Sequence, residues 1–163
     1  MKTALIVLWC LLASVVPLAQ VKHNHPAVTI IDGSRNPDLI PDIVAYRLYL
    51  LTVAHMQPAL QEAQLKSAGL SPSEIPAAAK VLSDFKTSFD ALSKAHNDAV
   101  MAAANASGPR PDSHLFALQC DALVNSAVSA LQSVLTANGM QAFRTHVTAE
   151  KKRMKLSGAT TLP

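Results

Sequence analysis

The chain has 163 residues, 50% hydrophobic, 15% charged and 4% aromatic, with a formal net charge of +3 at pH 7. That is enough apolar chain for one domain with a real core, and it excludes a disordered polyelectrolyte. Two cysteines exclude a disulfide framework, and the slight basic balance gives little support to a nucleic-acid partner.

Residues 1–20 read as an export signal. Lys2 supplies a short positive start, residues 4–16 form an apolar run interrupted only by Ser14, and Pro17, Leu18 and Ala19 lead into polar sequence. The run is too short to span a bilayer as a helix. The expected location is periplasmic or secreted, where there is no ATP pool and thiols tend to oxidise. Cys10 leaves with the signal, and with bulky Trp9 before it makes a poor lipoprotein site. Cys120 is then the single thiol of the mature chain. It falls among Phe116, Leu123, Val124 and Ala127 on an apolar helical face, as a small hydrophobe would. No later run suits a transmembrane helix: residues 43–56 contain Arg47 and His55 and are followed by Pro58.

Residues 21–40 read as an extended N-terminal arm. Its candidate site is His23, with His25 beside it. If the signal is cut after Gln20, the mature chain begins Val21-Lys22-His23. A histidine at position three can then bind Cu²⁺ or Ni²⁺ in a square plane, through the free amine, two deprotonated amides and the imidazole. A cut after Ala19 moves His23 to position four and abolishes that geometry. Farther along, Val28 to Ile31 has the composition of a short strand, but no partner strand is evident. Asp32-Gly33-Ser34 is a turn, and Asn36-Pro37 suits the start of a helical turn.

Residues 41–156 carry helical patterns. The first helix is expected over 41–66, kinked or broken near His55 by Pro58. Its first half is apolar nearly all round, which marks it as the central element. Ser71-Pro72-Ser73-Glu74 fits a capping box on Ser71, with a restart capped by Ser73 as the alternative that tolerates Pro76. A long second helix follows to about residue 104, with the stripe Leu82, Phe85, Phe89, Leu92, His96, Val100 and Ala103. A Gly/Pro linker separates it from a third helix over 112–135. Thr136 can cap a fourth, carrying Met140, Phe143, Val147 and Met154 on one side. Residues 157–163 show no pattern and read as a flexible tail. The fold class is all-α, and an antiparallel four-helix bundle buries these stripes most simply.

Ile31-Asp32-Gly33-Ser34-Arg35-Asn36-Pro37-Asp38-Leu39-Ile40-Pro41-Asp42 followed by Ala45-Tyr46 resembles the start of a group of small exported bacterial proteins. Leu135-Thr136, Gly139, Phe143, His146-Val147 and Glu150-Lys151-Lys152 are similar to the far end of the same group. The resemblance covers both ends of the mature chain. It implies a bacterial exported protein and brings no activity and no site residues with it.

Enzymatic motifs are missing: no Gly-x-Ser-x-Gly, no His-Glu-x-x-His, no Glu-x-x-His, no Cys-x-x-Cys-His and no glycine-rich phosphate loop. His96 lies on the apolar stripe and is expected to point inward. His55, His114 and His146 fall near helix ends or exposed faces. Lys80, Asp84, Lys86, Asp90, Lys94 and Asp98 read as a solvated face. The cluster Lys151, Lys152, Arg153 and Lys155 reads as complementing a helix C-terminus, with an anionic lipid or other acidic surface as the alternative. The expected function is that of a non-enzymatic exported bundle binding a protein partner or an envelope surface. The alternative is periplasmic Cu/Ni handling through the His23/His25 arm.

Overall fold

The computed structural model describes residues 29–158. In chain order these form β1 (Thr29–Asp32), a 3-10 turn (Pro37–Leu39), α1 (Asp42–Ala54), α2 (Pro58–Ser67), α3 (Ile75–Asn105), α4 (Ser113–Val134), α5 (Ala137–Glu150), a second 3-10 turn (Lys151–Arg153) and β2 (Lys155–Gly158). The class is all-α, with one small two-stranded sheet. The signal segment, His23, His25 and residues 159–163 lie outside the described residues. Among the described residues, no helix is long and apolar enough to cross a membrane.

α1 is the hub. Ala45, Tyr49, Leu50, Val53 and Ala54 are buried, Ile43, Tyr46 and Leu51 pack against the core from its edge, and the helix touches α2, α3, α4 and α5. This matches its all-round apolar sequence. Of the kink or break expected near His55 in a helix over 41–66, the structure has the break: two helices, α1 and α2. Gln57, restricted by the proline after it, is extended (φ −60°, ψ 147°), and Pro58 starts α2 in the first-turn position where its missing N–H costs nothing. The Val53 carbonyl at the end of α1 accepts from the Met56 N–H at 3.2 Å and from the Gln61 side-chain amide of α2 at 3.1 Å.

α2 ends in a Schellman turn. Gly69 takes the left-handed conformation at φ +86°, its N–H donates to the Lys66 carbonyl, and the Leu70 N–H donates to that of Leu65. Leu65 and Leu70 are both buried, supplying the apolar contact such turns favour.

The start of α3 forms half of the expected capping box. Glu74 reaches back to the Ser71 N–H at 2.9 Å, while the Ser71 hydroxyl donates to the same carboxylate oxygen at 2.6 Å. Pro76 falls in the first turn of the helix, where it is tolerated. The other Glu74 oxygen accepts from the N–H and hydroxyl of Thr136, at 2.9 and 2.7 Å. Thr136 caps α5 by accepting from the Gly139 N–H at 3.0 Å. One buried carboxylate therefore ties the N-termini of α3 and α5 together.

α3 and α4 form a hairpin longer than the rest of the core. The 31 residues of α3 span about 46 Å, against about 20 Å for the 13 of α1. The buried positions of α3 are Ile75, Ala78, Leu82 and Phe85, and those of α4 are Cys120, Val124, Ala127 and Leu131. Core packing thus stops near Phe89 and Cys120, and the far end of the hairpin projects as two helices. The continuous stripe of α3 does not continue as core: Leu92, His96 and Val100 are half-buried, and Leu92 and His96 face the start of α4 and the loop before it.

The hairpin loop closes with a second Schellman turn, in which Ser107 holds φ +50° and the Gly108 N–H donates to the Ala103 carbonyl at 2.9 Å. The glycine sits one position too late to carry the left-handed residue, and a side chain there costs about 1 kcal/mol. Ser107→Gly is expected to stabilise the protein by about 0.5–1 kcal/mol, read as a higher urea midpoint at unchanged slope.

β1 has a partner after all. It pairs antiparallel with β2, Ile31 opposite Leu156 and Asp32 opposite Lys155. Ser157 and Gly158, read from sequence as part of a tail, belong to this ladder. The strand is followed by an Asx turn, in which the Asp32 carboxylate accepts from the N–H and hydroxyl of Ser34 at 3.0 and 2.7 Å. Those bonds, the hydroxyl's first, hold its pKa below the usual carboxylate range. Ile40 then turns fully inward.

Candidate functional site

The histidines separate into different environments. The His96 ring stacks on Phe116 with centroids 4.1 Å apart, half-buried in the hairpin rather than inside the core. His55 ends α1, with Nδ1 2.8 Å from the Leu51 carbonyl and Nε2 3.2 Å from Asp90. His114 is exposed at the start of α4. Among the described residues, no three His, Cys, Asp or Glu side chains converge as a metal site. Cys120 is buried, and that burial raises its pKa.

The C-terminal basic cluster is largely committed to the fold. Buried Lys151 reaches Asp42 at the start of α1, at 2.5 Å. Arg153 pairs with Glu150 at 2.9 Å and Lys155 with Asp32 at 3.5 Å. Three of its four cations therefore have carboxylate partners within the chain. Lys80–Asp84, Lys86–Asp90 and Lys94–Asp98 are i,i+4 pairs along the outside of α3, the solvated face expected from their spacing.

His146 is the exception to the expected exposure of the helix-end histidines. Its side chain turns inward and gathers a polar group at the junction of α1, α2 and α5. The Tyr49 ring meets its edge at 5.5 Å, the Gln64 amide nitrogen lies 3.4 Å from Nε2, and Glu150 lies 4.0 Å from the same atom. Beside this group opens a cleft of about 290 Å³, lined by Leu48, Tyr49, Val53, Met56, Gln64, Glu150, Arg153 and Met154, with Thr52 at its edge.

Tyr49 is 5% exposed, and its hydroxyl is buried without a hydrogen-bond partner among the described residues. Burial pushes its pKa up to about 12, against the lowering effect of hydrogen bonding by the Gln64 side chain. The tyrosine is thus a neutral hydrogen-bonding group, not a phenolate. A phenylalanine would fill the same space without an unsatisfied hydroxyl. The cleft is partly apolar, with a carboxylate, an amide and a guanidinium among its lining side chains, and the His146 imidazole lies beside it rather than in it.

Sequence reading passed over this group because Tyr49, Gln64, His146 and Glu150 come from three helices. Two local signals were present: the i,i+4 pair His146/Glu150, and a hydroxyl-bearing residue inside the apolar hub helix.

The second surface feature is the projecting hairpin. Leu115 and Leu118 are 54% and 52% exposed on α4, and Met101 is exposed on α3. Leu115, Leu118 and Ala122 share one face of α4 by their three- and four-residue spacing. A shallow groove between the helices runs past Leu92, Ala95, His96, Leu115 and Phe116.

No protein-family model, no curated protein and no solved structure matches this chain. The functional reading therefore rests on the projecting hairpin.

Proposed function

We propose that the protein is an exported, non-enzymatic helical bundle that binds another protein through the far end of its α3–α4 hairpin. In this reading α1, α3, α4 and α5 form a four-helix core, with α2 as the displaced second half of the first helix. The observation that supports it is the exposure of Leu115 and Leu118, on a helix pair that no third helix covers among the described residues. Isolated exposed leucines are ordinary, but two on adjoining turns of a projecting hairpin form an apolar strip. The fitting partner presents an amphipathic helix, which would lie along α4 and complete a three-helix layer.

The test is site-specific photocrosslinking in the native envelope, with the crosslinker at Leu118 or, as a control, at Glu62 on α2. A discrete adduct from Leu118 that disappears in Leu115→Ser supports the reading. Recovery of free monomer alone, or equal adducts from both positions, refutes it. Leu115→Ser changes an exposed side chain, and its effect on stability is expected to stay within about 0.5 kcal/mol.

A further inference from the structure

We propose that the outer groove of the α3–α4 hairpin is a self-association surface, filled by α4 of a second copy of this chain. The proposal rests on the reading of the hairpin as a docking surface and names its partner. Two clefts mark the groove. One, of about 130 Å³, lies among Phe85, Ser88, Leu123, Ser126 and Ala130. The other, of about 260 Å³, lies among Leu92, Ala95, His96, Leu115 and Gln119. On α3 the lining recurs as Val81, Phe85, Ser88, Leu92 and Ala95, and on α4 as Leu115, Gln119, Leu123, Ser126 and Ala130. Steps of three and four make each set one face, so the clefts are stretches of a single groove about 21 Å long. No residue of α1, α2 or α5 lines it. Val81, Leu123, Ser126 and Ala130 each precede a buried residue by one position, which turns the groove about 100° away from the core.

The charge pattern identifies the occupant. Between Ser113 and Phe143, Asp121 is the one Asp, Glu, Lys or Arg of the sequence, and it is half-buried against Arg47 at 3.3 Å. α4 therefore shows solvent no free charge over its 22 residues, whereas α3 carries three ion pairs. The carboxylates bordering the groove, Asp84 and Asp112, are held by Lys80 and by the His114 N–H. Nothing in the groove selects a charged partner. It fits a helix whose own exposed face is uncharged and at least as long as the groove. α4 carries such a face beside it: Leu115, Leu118, Ala122, Asn125 and Ser129 are all exposed, at steps of three and four. Two copies share a net charge of +3, which opposes contact through charged faces but not through this one.

Groove and strip adjoin on one helix, so a two-fold axis near Leu123 seats each in the other at once. With the two α4 helices antiparallel, Leu118 of one copy falls opposite residues 126–130 of the other. The cleft there has Phe85 at its base and the small residues Ser88, Ser126 and Ala130 as walls, which leaves room for a leucine side chain. Leu115 and Leu118, about half exposed in the single chain, become buried in the pair. The contact runs the length of α4, about 33 Å, and takes in the facing flank of α3, a strip roughly 20 Å wide. That removes roughly 650 Å² from each copy, within the range of about 600–1,000 Å² per partner of a standard interface.

The experiment is sedimentation equilibrium of the full chain at pH 7, as the wild type and with a charge placed at Ala122, an exposed position beside the axis. The wild type is expected to form a dimer with a Kd of about 10 µM or below. Ala122→Asp and Ala122→Lys each set like charges against each other and are expected to weaken the dimer about tenfold or more. An equimolar mixture of the two is expected to recover wild-type association. That recovery is a gain, which misfolding cannot produce. A wild type still monomeric at about 100 µM, a dimer indifferent to both charges, or a mixture without recovery overturns the proposal. The Leu118 photoadduct separates this proposal from the hairpin reading beneath it. An adduct of twice the chain mass supports self-association. An adduct with a different protein overturns it and leaves the hairpin a docking surface, and free monomer alone overturns both.

Discussion

Gly139→Ala is expected to destabilise the protein by about 1–3 kcal/mol, although it replaces glycine by the best helix former inside a helix. Gly139 lies in the first turn of α5, and a Cβ there would run into the Glu74 carboxylate. The carboxylate cannot retreat cheaply, because it accepts from both donors of Ser71 on one oxygen and both donors of Thr136 on the other. Pushing it aside breaks the link between the N-termini of α3 and α5. In a Glu74→Ala background the obstacle is gone, and Gly139→Ala is expected to become stabilising by about 1 kcal/mol, as at an ordinary helical site. The double-mutant cycle in urea measures this reversal. The same sign in both backgrounds would show that Glu74 does not set the requirement for glycine.

The same carboxylate gives the protein a pH signature. Hydrogen bonds from Ser71 and then Thr136 hold the Glu74 pKa down to about 2, from an ordinary value of 4.5. The unfolded chain therefore binds the proton more readily than the folded one. The stabilising contribution is complete above about pH 4.5 and is lost as pH falls through about 2. Asp32, held down first by Ser34, and Asp90, held down first by Lys86, act in the same direction. The wild type alone cannot isolate Glu74, but the difference between wild type and Glu74→Ala can. Its melting-temperature gap is expected to be several degrees at pH 7 and to close between pH 4.5 and 2. A gap independent of pH would place the effect of Glu74 in packing rather than charge.

The class of fold was legible in the sequence because it depends on local patterns. The capping residue Thr136, the box around Glu74, the breaker Pro58 and the ion-paired face of α3 are all read within four residues. What was not legible needs a second segment. The period-3.6 stripe of α3 shows which face is apolar, but not that it outruns the core after Phe89. Thr29–Asp32 looks like a strand without a partner because Lys155–Gly158 carries almost no strand signal of its own. That segment is held in place by contacts distant in sequence, including Lys151 with Asp42. The cleft was missed for the same reason. Tyr49, Gln64 and Glu150 lie in three helices, and the unsatisfied hydroxyl becomes visible only once its neighbours are known.

Gly33→Ala tests whether this long-range closure holds the two ends of the domain together. The Gly33 N–H donates to the Met154 carbonyl at 2.9 Å, which brings the turn after β1 flat against the turn before β2. A Cβ would collide with the Lys151 carbonyl and lie 2.8 Å from Ile40 Cδ1 and 2.9 Å from the Met154 carbonyl. Two of those three obstacles are backbone, so no rotamer change relieves them. The requirement is for space, not for an unusual backbone angle, since Gly33 does not take a positive φ. To admit the methyl, the Lys151–Arg153 turn must move off β1. That loosens the Ile31–Leu156 pair and fully buried Ile40 together. The expected cost is about 3 kcal/mol, or a fall of about 10 °C in melting temperature, with early hydrogen exchange at Ile31 and Met154. Lys155→Ala, which removes only the open ion pair to Asp32, is expected to cost less than about 1 kcal/mol. If the two substitutions cost the same, close approach at Gly33 is not what holds the sheet, and its ion pair contributes as much as the packing beneath it.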